Sequence, residues 1–131
     1  PWQHVLESLS GYLLLGNYIL NRRLDSKLIP SWNFGPKNSS YKKVIYIVKK
    51  TVSAWGNDHK KIIIKKNKSF FEAEKLFLNI DKAKKELNWI PSLNLEQTID
   101  LTVAWYKNYF ADNNMSFITQ DQINFFSDVK K

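Results

Sequence analysis

Cysteine is absent from this 131-residue chain. That excludes disulfide staples and cysteine-held zinc, and it fits a reducing cytoplasm. Histidine is nearly absent: His4 and His59 are the two in the sequence, far apart and without metal-ligand spacing, so no metal is expected. Glycine is scarce as well. Gly11, Gly16, Gly35 and Gly56 form neither a dinucleotide fingerprint nor a phosphate-cradling loop. Nucleophile-elbow and zinc-protease motifs are missing. No apolar run approaches the ~18 residues of a membrane span. The run Tyr12–Leu15 is broken by Gly16 and Asn17, and no basic residues precede it as they would in a signal peptide. These absences predict a soluble, cytoplasmic chain with no membrane contact.

Acidic residues are the scarcer charge, 12 against 20 basic, for a net charge of +8. Such an excess can draw phosphate-rich partners. The lysines are spread over Lys42–Lys43, Lys49–Lys50, Lys60–Lys61, Lys65–Lys68 and Lys82–Lys85 and not gathered on one element. A solvated surface is the simpler reading, and a nucleic-acid-binding module the alternative to it.

What is present is apolar periodicity. Leu9, Leu13, Gly16 and Leu20 recur at helical spacing and predict a helix over Glu7–Asn21. Its two glycines suggest close approach of a neighbouring backbone. Ser31–Phe34 reads as a short strand ended by Gly35-Pro36, and Ser39 or Ser40 as the cap of a helix carrying Val44, Val48, Val52 and Trp55. Gly56-Asn57 stops that helix. Ile62–Ile64 and, more weakly, Leu76–Leu78 read as strands. A short helix over Lys82–Leu87, a long one over Leu95–Phe110 capped by Asn94, and a last one starting at Ser116 or Thr119 complete the pattern. The expected fold class is therefore α/β, helix-rich with a few short strands. The tryptophans Trp32, Trp55, Trp89 and Trp105 are expected in the core.

Three local features bear on chemistry. Tyr46 and Lys50 match the Y-x-x-x-K spacing of a phenol activated by lysine, but the match is readily made by chance in a lysine-rich chain with no cofactor loop before it. Glu72, at the end of a predicted element, is placed to accept hydrogen bonds from a ribose diol. Trp2, Gln3 and His4 form an amphipathic cluster of the kind that lines a nucleotide cleft.

Taken together, PWQHVLESLSGYLLL, WNFGP, FFEAEKLFLNIDKAKKELNWIP and TVAWYKNY, in that order, resemble the C-terminal part of CDP-glucose 4,6-dehydratases, members of the extended short-chain dehydrogenase/reductase superfamily. The resemblance implies a single substrate-binding lobe over residues 1–131, with the N-terminal Rossmann cofactor domain absent. Pro1-Trp2, with no initiating Met, is accordingly expected to lie inside a longer protein. The family's reaction converts CDP-glucose to CDP-4-keto-6-deoxyglucose with NAD, for deoxysugar and polysaccharide synthesis. The resemblance places the glycine-rich loop and the catalytic tyrosine and lysine in the other domain. This chain is thus expected to hold no catalytic residue and no cofactor, and to bind a CDP-glucose-like nucleotide sugar. Carried over by position, Trp2, Gln3, His4 and Val5 resemble the segment beside the nucleotide, Glu7 the acid opening the next helix, Asn33 a residue turned toward the cleft, and Glu72 the ribose-binding carboxylate.

Departures from the pattern are Phe71 for histidine, Lys75 for tyrosine, Asn79 for aspartate, Ser8 for proline and Asn88 for glycine in L-G-W. Asparagine is the best non-glycine choice for a left-handed residue. Several replacements fall near the expected cleft. A degenerate, ligand-free lobe is therefore a third reading, self-associating through surfaces the missing domain would cover.

Overall fold

The computed structural model describes residues 2–22, 31–56, 62–64 and 76–130. Among these, five α-helices occur in the order α1 (Val5–Arg22), α2 (Val44–Trp55), α3 (Asp81–Leu87), α4 (Leu95–Phe110) and α5 (Met115–Val129), with a 3-10 turn at Asn38–Ser40 before α2. No β-strand occurs among the described residues. The expected α/β class is thus corrected: the described structure is helical throughout. Ser31–Phe34, Ile62–Ile64 and Leu76–Leu78 carry strand-like composition but take no part in a ladder. A strand exists only where a second extended segment meets its N–H and C=O groups, and none does here.

The helix ends are set locally. Asn94 closes a capping box on α4: its Oδ1 accepts from Gln97 N–H (2.9 Å) and its own N–H donates to Gln97 Oε1 (2.9 Å). Gly56 (φ 84°) ends α2 and Asn88 (φ 52°) ends α3, both left-handed. Two expected caps are displaced. Ser40 lies buried in the 3-10 turn, and Lys43 precedes α2 with no side-chain cap. The last helix starts earlier than expected, because Asn114 Oδ1 accepts from Phe117 N–H (3.2 Å).

Two apolar clusters hold the helices together. Ile80, Ala83, Leu87 and Trp89 form the first, packed against Leu14, Tyr18, Trp32 and Phe34. Leu95, Ile99 and Val103 of α4 form the second, against Trp2 and the α2 residues Tyr46, Ile47, Ala54 and Trp55. Trp89 is fully buried; Phe34 meets it edge-on at 5.0 Å and its Nε1–H donates to Ser10 Oγ (3.0 Å). The other expected core tryptophans are only partly buried. Tyr46 packs between α2 and α4, while Lys50 lies in solvent and pairs with Glu96 (3.1 Å), which raises its pKa.

Gly11 and Gly16 do different things. Gly11 admits a side chain and not a backbone: a Cβ there would lie 2.5 Å from the Phe34 ring. Gly16 faces open space. No helix of the described residues is long and apolar enough to cross a membrane.

Candidate functional site at the start of the first helix

The segment Trp2–Glu7 is fastened at every residue but one. Trp2 Nε1–H donates to Lys42 O (3.0 Å), and Gln3 Nε2 donates to Ser8 Oγ (2.7 Å) and Phe34 O (3.1 Å). His4 is buried; its carbonyl accepts from Glu7 N–H (3.1 Å) as α1 begins, and its Nδ1 accepts from Leu6 N–H (3.4 Å). With Nδ1 an acceptor, the ring proton sits on Nε2. Burial holds the His4 pKa below 6.5, so the ring is neutral near pH 7. Val5 is exposed.

Glu7 turns inward. Its Oε1 accepts from Ser92 N–H (2.7 Å) and Leu93 N–H (2.6 Å). Burial pushes its carboxyl pKa up, against the pull of those two N–H groups and of Lys130 and Lys37. Glu7 Oε2 and Gln3 Oε1 are buried without a donor among the described residues.

Of two clefts among the described residues, this segment lines the first. A cavity of about 380 Å³ is lined by Gln3, His4 and Val5 together with Trp105 and Tyr106 of α4 and Gln122 of α5. None of its lining residues carries a formal charge at neutral pH. Trp105 Nε1–H donates to Thr119 Oγ1 (3.1 Å) and Gln122 Nε2 to Leu101 O (2.7 Å), which fixes both side chains at the rim. The second cleft, about 1030 Å³, carries Lys37, Lys84 and Lys130 beside Asn79 and Ser92, with the carboxylate of Asp81 4.0 Å from Lys84 Nζ. Lys37 Nζ donates to Ser92 O (3.0 Å), and burial lowers the Lys130 pKa.

Of the residues singled out in the sequence, Gln3, His4 and Val5 come together in the uncharged cavity. Trp2 lies outside its lining, against the α4 cluster. Glu7 bonds Ser92 at the edge of the basic cleft, and exposed Asn33 donates from Nδ2 to Asn79 O (3.3 Å), on the same cleft. Glu72 lies outside the described residues. Sequence reasoning missed Trp105, Tyr106, Thr119 and Gln122 as cavity residues. The T-V-A-W-Y stretch was a signal for the first two; Gln122 carried none, because only packing of α5 on α4 brings it to the cavity. Among the described residues no three His, Asp or Glu side chains are grouped to hold a metal ion.

The described residues thus present an amphipathic entry segment, an aromatic-rimmed uncharged cavity and a second cleft that carries three lysines with Asp81, and the sequence is similar to that of a CDP-glucose 4,6-dehydratase. In particular, the chain is 35% identical over 124 residues to the CDP-glucose 4,6-dehydratase of Salmonella typhimurium. The match takes in 95% of this chain and 34% of that enzyme, so the chain spans about a third of the relative's length. No family model matches the sequence.

Proposed function

We propose that this chain is the nucleotide-sugar-binding lobe of a CDP-glucose 4,6-dehydratase-like enzyme, corresponding to its C-terminal part, and that it binds substrate without carrying out the redox chemistry alone. The observation that carries this is the match along 95% of the chain to a CDP-glucose 4,6-dehydratase, joined to the cavity that gathers Gln3 and His4 with Trp105. The His4 Nε2–H donor and the Trp105 and Tyr106 rings suit an uncharged ring with acceptor atoms, such as a nucleobase or a sugar. The lysines of the second cleft supply the positive charge that a diphosphate seeks. The reading carries a cytoplasmic location with it.

The residues present do not fit the family's NAD. Gly11 is taken up by Phe34, Gly16 is mid-helix, Gly35 packs on Leu78 and Ile80, and Gly56 ends a helix. None opens a helix N-terminus to a pyrophosphate. No step through the cofactor is assigned to this chain.

The test is a 15N-edited NMR titration with CDP and, in parallel, UDP. The expected result is nucleotide-selective shifts at Gln3, His4 and Trp105, abolished by Trp105→Ala. Shifts confined to lysine-bearing segments, with affinity for RNA falling steeply with salt, would favour the nucleic-acid reading. Conversion of CDP-glucose by the chain with added NAD+ would overturn the claim that it does not catalyse alone.

A further inference from the structure

Among the described residues Glu7 is the one buried acid, 1% exposed. Its Oε1 accepts from the Ser92 and Leu93 N–H groups, and its Oε2 has no donor. A carboxylate in such a place depends on nearby cations to stay ionised. The cations that act on it are Lys130, at the end of α5, and Lys37, just before the 3-10 turn. Both lysines also line the large cleft. Ser92 joins the two sides: its N–H donates to Glu7, and its carbonyl accepts from Lys37 Nζ at 3.0 Å. The remaining charged groups nearby are already accounted for. Asp81 and Lys84 of α3 pair with each other on the cleft at 4.0 Å. His4 of the entry segment is buried and neutral near pH 7. Lys37 and Lys130 therefore face two negative charges: the buried one of Glu7 and that of any anion in the cleft.

We infer that anion binding in this cleft is coupled to proton uptake by Glu7, so that a dianion on Lys37 and Lys130 is held tightly while Glu7 is protonated and more weakly once it ionises. The inference rests on the proposed function, which seats a diphosphate in the cleft, and it gives that site a regulation. The sign of the coupling follows from linkage. An anion that draws on the two lysines leaves less of their field for Glu7 and favours its neutral form. By reciprocity, a proton on Glu7 then favours the anion by the same factor. Burial, which raises the Glu7 pKa above 4.5, moves this exchange up from the acid range toward neutrality. The coupling needs no movement of the backbone, because the proton and the anion meet through the same pair of cations.

Sulfate is the probe, a dianion whose own charge is constant over the pH range used. Its binding is followed by the amide shifts of Lys37, Ser92 and Lys130 in the whole chain, at about pH 5 and about pH 7.5, for the wild type and Glu7→Gln. The expected result is that the wild type binds at least ~3-fold more tightly at the lower pH, and that Glu7→Gln binds at least ~3-fold more tightly than the wild type at the higher one. The second comparison is made where His4 is neutral in both proteins. A measurement that needs no variant is proton uptake when sulfate is added to lightly buffered wild type; the pH is expected to rise. Equal affinities of the two proteins at about pH 7.5, no proton uptake by the wild type, or no sulfate shifts in the cleft at either pH each overturn the inference. The CDP titration reads Gln3, His4 and Trp105 in the cavity and sulfate reads the cleft, so failure of the proposed function is distinguishable from failure of the coupling.

Discussion

Glu7 Oε1 accepts a 2.6 Å hydrogen bond from the backbone N–H of Leu93, 86 positions along the chain. The neighbouring N–H of Ser92 shares the same oxygen at 2.7 Å. One carboxyl group thereby ties the first turn of α1 to the turn between α3 and α4. It stands where the resemblance to the dehydratases placed the acid that opens the helix; its Oε1 bonds the chain itself, while its Oε2 is buried without a donor among the described residues.

Removing that tie should be costly. Glu7→Ala leaves two amide donors without their acceptor, a loss of about 1–3 kcal/mol. Glu7→Gln keeps an oxygen for both donors and should be milder. Urea unfolding of the three proteins checks the order. Glu7→Ala as stable as the wild type would mean that the turn finds other partners.

Glu7 also predicts a pH dependence. Burial raises its folded pKa above the ordinary 4.5. A group with a raised folded pKa contributes stability that is complete below its unfolded value and is lost as pH rises through the folded value. The unfolding free energy of the wild type minus that of Glu7→Gln should therefore fall as pH climbs from below 4.5 toward neutrality. A difference that grows with pH would show that the Ser92 and Leu93 N–H groups, with Lys130 and Lys37, outweigh burial.

His4 has the opposite sign. Its folded pKa lies below 6.5 because burial disfavours the imidazolium. Its contribution is complete above 6.5 and is lost as pH falls through the folded value. NMR titration of the His4 ring should give a midpoint under 6.5, with CDP shifts weakening over the same range. A midpoint above 6.5 would mean that a negative charge faces the ring.

The two glycines of α1 should respond oppositely to alanine. In a helix interior the exchange ordinarily stabilises by about 0.5–1 kcal/mol. Gly16→Ala, in open space, should gain about that much in the isolated chain. Gly11→Ala puts a methyl 2.5 Å from a Phe34 ring that Trp89 and Tyr12 hold in place, and should lose about 1–3 kcal/mol instead. Thermal melts of both variants decide; equal shifts would mean that Phe34 moves aside.

The sequence by itself determined what depends on neighbours along the chain. The Asn94 cap and the extent of α4, the stop at Gly56 and the left-handed Asn88 are set by side chains and backbone within a few residues, and each was legible. So was the existence of α1, from its spacing of leucines. Only the tertiary structure decided what depends on distant partners. Ser31–Phe34 and Ile62–Ile64 have strand composition but no ladder, since a ladder needs a second segment that periodicity cannot supply. The face of α1 turned inward was likewise hidden. Leu9, Leu13 and Leu20 make the helix, yet Phe34, Trp89 and the Ser92–Leu93 amides lie on its other side, where Gly11 gives room, Ser10 accepts a bond and Glu7 answers two donors. Burial follows shape and hydrogen-bond complementarity across the fold, and those are properties of pairs of segments that no single stretch of sequence contains.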